Sequence, residues 1–261
     1  MDRRDFVTQV SAWPFVFGAW RLGVSGTTLA AREGILPQAL ATMKAQSRPG
    51  LVFVVPEETS QREALGRALF RLYSLTPAPK TDTTAMSWDA FKSQRREALS
   101  VVSSSVLICL EAAEAKASLA QATPRMVLDA DGKVLRQSAD APVAVEHGFE
   151  DRLARLLHGE DHQHLRARAA QIQSRLPEAT KASTHQLVTR MAALDVDDEY
   201  AYARSPEFTG DQAELTRLLT EHPGVAQWFA SALLATKARS VSALELHLKA
   251  LNTSLPMGSV L

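Results

Sequence analysis

The chain has 261 residues, 46% of them hydrophobic, with 29 Lys or Arg against 29 Asp or Glu and hence no formal net charge. That balance excludes a strong whole-molecule attraction to nucleic acid or to an anionic membrane, and the length suits one larger or two smaller domains. The single cysteine, Cys109, excludes an internal disulfide, an iron–sulfur cluster and a cysteine-based zinc site.

Residues 1–30 open with Arg3, Arg4, Asp5, Phe6 and Val7, run apolar to Trp20, and reach small residues at Thr28 and Ala30. Two arginines, a variable residue, Phe and an aliphatic residue ahead of an apolar stretch resemble a twin-arginine export signal. The resemblance implies cleavage before Ala31 and a periplasmic mature protein. Pro14 interrupts the stretch and Arg21 closes it, leaving less than the roughly 20 apolar residues a membrane span needs. The same residues also read as an amphipathic helix over 5–20, with Phe6, Val10, Trp13 and Phe17 packed on the body of a cytoplasmic protein.

A helix is predicted around Leu36–Lys44, and after Pro49-Gly50 the run Leu51–Val55 (LVFVV) predicts a strand buried on both faces. Ser60 and Glu63 have the spacing of a capping box, opening a helix with Leu65, Ala68, Leu69 and Leu72 on one stripe. A Pro-rich loop over 75–84 leads to a helix around Trp88–Leu99, a second strand-like run over Val101–Leu110, and an alanine-rich helix over Glu111–Gln121. Asp131-Gly132, between Met126-Val127-Leu128 and Val134-Leu135, predicts a β-hairpin. A helix with Phe149, Leu153, Leu156 and Leu157 follows.

This order over residues 36–158, together with Ala122-Thr123-Pro124 just before the hairpin, resembles the thioredoxin-like fold, a mixed sheet with flanking helices. The resemblance implies a cis-proline at Pro124 shaping a peptide-binding groove; read by itself, Pro124 is equally a loop proline ahead of a strand. It also implies a cysteine at the start of the helix after the first central strand, where the helix N-terminus would lower the thiol pKa. Residues 56–63 (PEETSQRE) contain none. Glu57, Glu58 and Glu63 stand there instead, complementing the helix dipole, and Cys109 lies in an apolar run where burial is the default.

Residues 159–261 read as an all-α region. Asp161 is placed to cap a helix with Leu165, Ala169, Ile172 and Leu176; Leu187, Met191 and Leu194 mark a second. Asp211 and Glu214 form a capping box ahead of Leu215, Leu218 and Leu219, then Val225, Phe229, Ala232 and Leu233 define a fourth stripe and Leu244, Leu248 and Leu251 a fifth. Such helices form either a small bundle or a stack of pairs, and two pairs about 45–50 residues apart are similar in period to HEAT-like arrays.

The histidines concentrate in LLHGEDHQHL, where His158, His162 and His164 with Glu160 and Asp161 offer zinc-type donors. Gly159 separates His158 from His162 between consecutive helices, so the stretch also reads as a solvated turn. Asp195–Glu199 fails as a calcium loop because Tyr200 occupies the sixth position and Pro206 the twelfth. Ser103–Ser105 lack a nucleophile elbow, and no phosphate-binding glycine pattern occurs. No catalytic, metal or cofactor-binding residue is therefore assigned. The expectation is a non-redox thioredoxin-like module acting through protein contacts, without nucleic-acid binding; the alternative is a metal- or single-thiol-dependent enzyme using His158 and His162, or Cys109.

Overall fold

The computed structural model describes residues 35–74, 88–119, 121–139, 148–193, 199–235 and 247. The export-signal stretch, the 75–84 loop and all of the 244–251 stripe except residue 247 lie outside them. The described elements are α1 (Ile35–Gln46), β1 (Gly50–Val55), α2 (Thr59–Ser74), α3 (Trp88–Ser104), β2 (Val106–Glu111), α4 (Ala112–Ser118), β3 (Arg125–Leu128), β4 (Val134–Ser138) and α5 (Phe149–His158). A 3-10 turn (Glu160–His162) leads to α6 (Gln163–Arg175), α7 (Glu178–Ala193), α8 (Glu199–Tyr202), α9 (Pro206–Glu221) and α10 (Val225–Ala235). No described helix is long and apolar enough to cross a membrane.

The protein is mixed α/β: a four-stranded sheet in the order β2-β1-β3-β4, with helices on both faces. β1 runs parallel to β2, with Leu51 opposite Leu107 and Phe53 opposite Cys109, and antiparallel to β3, with Leu51 opposite Val127. Parallel neighbours need a crossover, which α2 and α3 supply. β3 and β4 form the expected hairpin. Its loop is longer than a two-residue turn: Asp129 Oδ1 accepts from the Asp131 and Lys133 amides at 3.0 and 2.9 Å, and Gly132 takes φ +83°.

The strand-like run over Val101–Leu110 divides in the structure. Its first four residues continue α3, and β2 begins only at Val106. Val101 and Val102 face the core from a helix, while Ser103, Ser104 and Ser105 turn their hydroxyls back to the carbonyls of Leu99, Ser100 and Val101. Buried Arg48 closes the helix end, its Nη1 reaching the carbonyls of Val102 and Ser103 at 3.3 Å and Ser105 at 3.4 Å.

Three predicted caps are displaced. α2 starts at Thr59, so Ser60 lies inside the first turn and bonds Glu58, while Glu63 pairs with Arg67. α9 starts at Pro206 because Ser205 accepts from the Phe208 amide at 3.1 Å and proline suits the first helical position; Asp211, taken as a cap, is buried mid-helix and bonds Arg190. Asp161 caps nothing, since the chain passes through left-handed φ values at Asp161 (49°) and His162 (57°) before α6 begins.

One face of the sheet, with Val52, Ile108, Leu110, Met126 and Leu128, packs on α1 and α4. The other face, with Leu51, Phe53, Val55, Leu107 and Cys109, packs on α2, α3 and α5 in a cluster that extends without a break to Leu187, Met191, Leu215, Leu218, Phe229 and Leu233. The later helices share this core with the sheet. α10 lies against α6 and α3 while α7 lies against α9, the nested contacts of a small bundle in which first helix meets fourth and second meets third.

Candidate functional site

The C-terminal ends of the parallel strands β1 and β2 form one candidate corner, since ligands of open α/β sheets gather at strand ends. Pro56–Glu58 leave β1 there, Arg62 rises from the first turn of α2, Glu111 ends β2 and Thr123-Pro124 precede β3. Arg62 holds Glu111 in a two-pronged ion pair, Nη1 to Oε1 at 3.1 Å and Nη2 to Oε2 at 2.9 Å, and its Nε donates to the Pro56 carbonyl at 3.2 Å. Glu58 accepts from Ser60 and from Gln61 at 2.5 Å. The corner is thus charged and cross-braced. On its inner side the Val54 amide donates to the Pro124 carbonyl at 2.9 Å. The peptide bond before Pro124 is trans, as are all described peptide bonds, so the loop-proline reading holds and the cis-proline does not.

Cys109 points into the shared core from β2 and is 7% exposed. Burial, followed by the nearby Glu111 charge, pushes its thiol up to about 12, so no thiolate forms near neutral pH.

His158 anchors a buried hydrogen-bonded chain. His158, fully buried at the end of α5, has Arg168 Nη2 at 3.4 Å from Nδ1 and Ser100 Oγ at 3.2 Å from Nε2. Arginine can only donate, so Nδ1 accepts and Nε2 carries the proton toward Ser100, whose hydroxyl donates to the Glu97 carbonyl at 2.8 Å. Arg168 Nε donates to Gln227 Oε1 at 2.8 Å, and Gln227 Nε2 to the Ser47 carbonyl at 2.5 Å. The chain ties α3, α5, α6, α10 and the turn before β1 together.

His162 takes a different partner, with Nε2 3.0 Å from Glu97 Oε2, and its ring centroid lies 6.0 Å from that of His158. Burial, then the positive charge of Arg168, holds His158 well below the ordinary histidine range, whereas the Glu97 hydrogen bond raises His162. The two histidines are neighbours, but both ring nitrogens of His158 are engaged. Among the described residues no group of three or more His, Cys, Asp or Glu is arranged to hold a metal ion.

Sequence reasoning missed Arg48, Glu97, Arg136, Arg168 and Gln227. No sequence signal marks such partners, because each has a partner at least 20 residues away in the chain. A second buried cluster was also missed: His247 stacks on Phe208 with centroids 4.3 Å apart and bonds Tyr202 and Gln212 at 3.1 and 2.9 Å. A shallow cleft of about 600 Å³ lies between α6, α7 and α10, lined by Gln173, Lys181, His185 and Trp228. No family model, curated protein or solved structure matches the chain.

Proposed function

We propose that this chain is a non-redox thioredoxin-like module, exported by the twin-arginine route, that works by binding or assembling with a protein partner. The observation that carries the reading is the corner at the ends of β1 and β2. There, at the start of the helix after β1, Glu58 and Arg62 stand in the segment where the thioredoxin resemblance would call for a thiol, and Arg62 pairs with Glu111 at the end of β2. The buried, protonated Cys109 supports the non-redox half of the reading. Arg62→Glu would leave two acids facing each other at this corner, so it reports on recognition there.

The test combines intact mass with affinity capture, on protein taken from its native host. Loss of residues 1–30 and a stoichiometric protein partner that Arg62→Glu releases are the expected results. A full-length mass overturns export. A strictly monomeric protein that retains no partner overturns the binding function, and catalysed reduction of a disulfide substrate overturns the non-redox assignment.

A further inference from the structure

Two guanidinium groups converge on the last turn of α5. Arg136, from β4, donates Nε to the Leu156 carbonyl and Nη2 to the Leu157 carbonyl, both at 2.6 Å. Arg168, from α6, places Nη2 3.4 Å from Nδ1 of the next residue, His158, with Nε fixed on Gln227. Each guanidinium is held by neutral acceptors only. Neither forms an ion pair with a described residue, and Nη1 of each has no protein partner there.

Of the acids around this turn, Glu160 and Asp161 stand exposed within it, and three on neighbouring helices are committed elsewhere. Glu97 bonds His162 at 3.0 Å, Glu150 bonds Gln94 at 2.9 Å and Asp151 pairs with Arg155 at 2.8 Å. His164 adds a third basic group. Its ring folds against Gly159, so closely that a Cβ at position 159 would stand 2.4 Å from the ring Cδ2 and 2.8 Å from Nε2. The imidazole makes no hydrogen bond to a described residue.

Burial and then repulsion by Arg136 bring Arg168 down to about 10, and burial followed by Arg136 and Arg168 lowers His164. Partly buried like charges destabilise one another unless a counter-ion joins them. Guanidinium groups in fixed orientation are suited to the oxygens of phosphate, which a bidentate fork can grip.

We propose that Arg136, Arg168 and His164 form a binding site for a tetrahedral oxyanion, either inorganic phosphate or the phosphate group of a larger ligand, at the C-terminal end of α5. The anion would accept from the Nη1 groups, which have no acceptor among the described residues, and from His164.

The test titrates the full chain with inorganic phosphate, with sodium chloride at matched ionic strength as control, following phosphorus NMR and thermal unfolding. The expected result is saturable phosphate binding with a Tm increase of a few degrees that chloride does not reproduce. Arg136→Gln should abolish the response. Because Arg136 also caps α5, His164→Ala serves as the second variant: it breaks no hydrogen bond among described residues and should weaken phosphate binding about fivefold to tenfold. A simple phosphate monoester that binds more tightly than inorganic phosphate assigns the site to a larger ligand, and equal or weaker binding assigns it to the free anion. The proposal is overturned if chloride gives the same Tm change, or if His164→Ala binds phosphate as tightly as the wild type.

Discussion

Arg48 directs Nη1 at the carbonyl of Val102, 3.3 Å away, although the two residues are 54 apart in sequence. The turn after α1 therefore supplies the cap of α3, satisfying carbonyls that the helix itself cannot. A cation there also opposes the negative end of the helix dipole. Arg48→Ala should destabilise the protein by about 2–3 kcal/mol, because buried carbonyls lose a charged donor. Urea unfolding checks this, and a loss within about 0.5 kcal/mol of zero, the range of ordinary surface substitutions, would count against the cap.

Cys109 should be unreactive toward iodoacetamide at pH 8 in the folded protein and react fully in denaturant. Its thiol sits at about 12 and is 7% exposed, so thiolate is scarce and access is blocked. Mass spectrometry of alkylated protein decides the matter. Rapid native labelling would revive the single-thiol chemistry.

Stability should fall on mild acidification, and His158 should account for part of the fall. Its folded pKa is depressed by burial and Arg168, whereas in the unfolded chain it titrates near 6.5, so the unfolded state binds the proton more readily. The contribution is complete above about 6.5 and is lost progressively as pH drops toward the low folded value. His247, brought down to about 4 by burial, acts with the same sign between about 6.5 and that value. His162 acts oppositely: raised by Glu97, it stabilises below about 6.5, and its contribution is lost as pH rises through its folded pKa. His158→Gln preserves an acceptor for Arg168 and a donor for Ser100. It should flatten the acid limb of Tm against pH in scanning calorimetry, and an unchanged limb would remove His158 from the explanation.

Phe229, fully buried in α10, belongs to the same hydrophobic cluster as Phe53 of β1 and Leu69 of α2. Phe229→Ala should cost about 3–5 kcal/mol, as core aromatic truncations do. Because the core is shared, the loss should move one transition, with tryptophan fluorescence and far-ultraviolet circular dichroism remaining coincident in urea. Two separated transitions would show that the helices beyond α5 unfold independently of the sheet.

The elements with a strong local code were legible. LVFVV became the central strand β1, Asp131-Gly132 marked the hairpin, and the Val225–Leu233 stripe became α10. Helix starts were not, because Ser60, Asp161 and Asp211 each had the chemistry of a cap while Ser205-Pro206 and positive-φ residues at 161 and 162 decided the boundaries. The Val101–Ser104 segment was misread as strand because β-branching is a weak preference that burial on a helix overrides. At the candidate sites, His158 was legible as a residue but its partners were not. Nothing local marks Arg168; the packing of α6 on α10 and on α5 brings it to Gln227 and His158.

Gln227 donates to the Ser47 carbonyl across 180 residues of chain. A contact that late in sequence sets an order of events during synthesis. The sheet strands and α3 leave the ribosome well before α10 exists, so the apolar flank that α10 covers is bare while translation continues. A ribosome-stalled chain ending before residue 225 would lack α10 and so expose to chaperones part of the α3 and α6 surface on which that helix packs in the finished molecule.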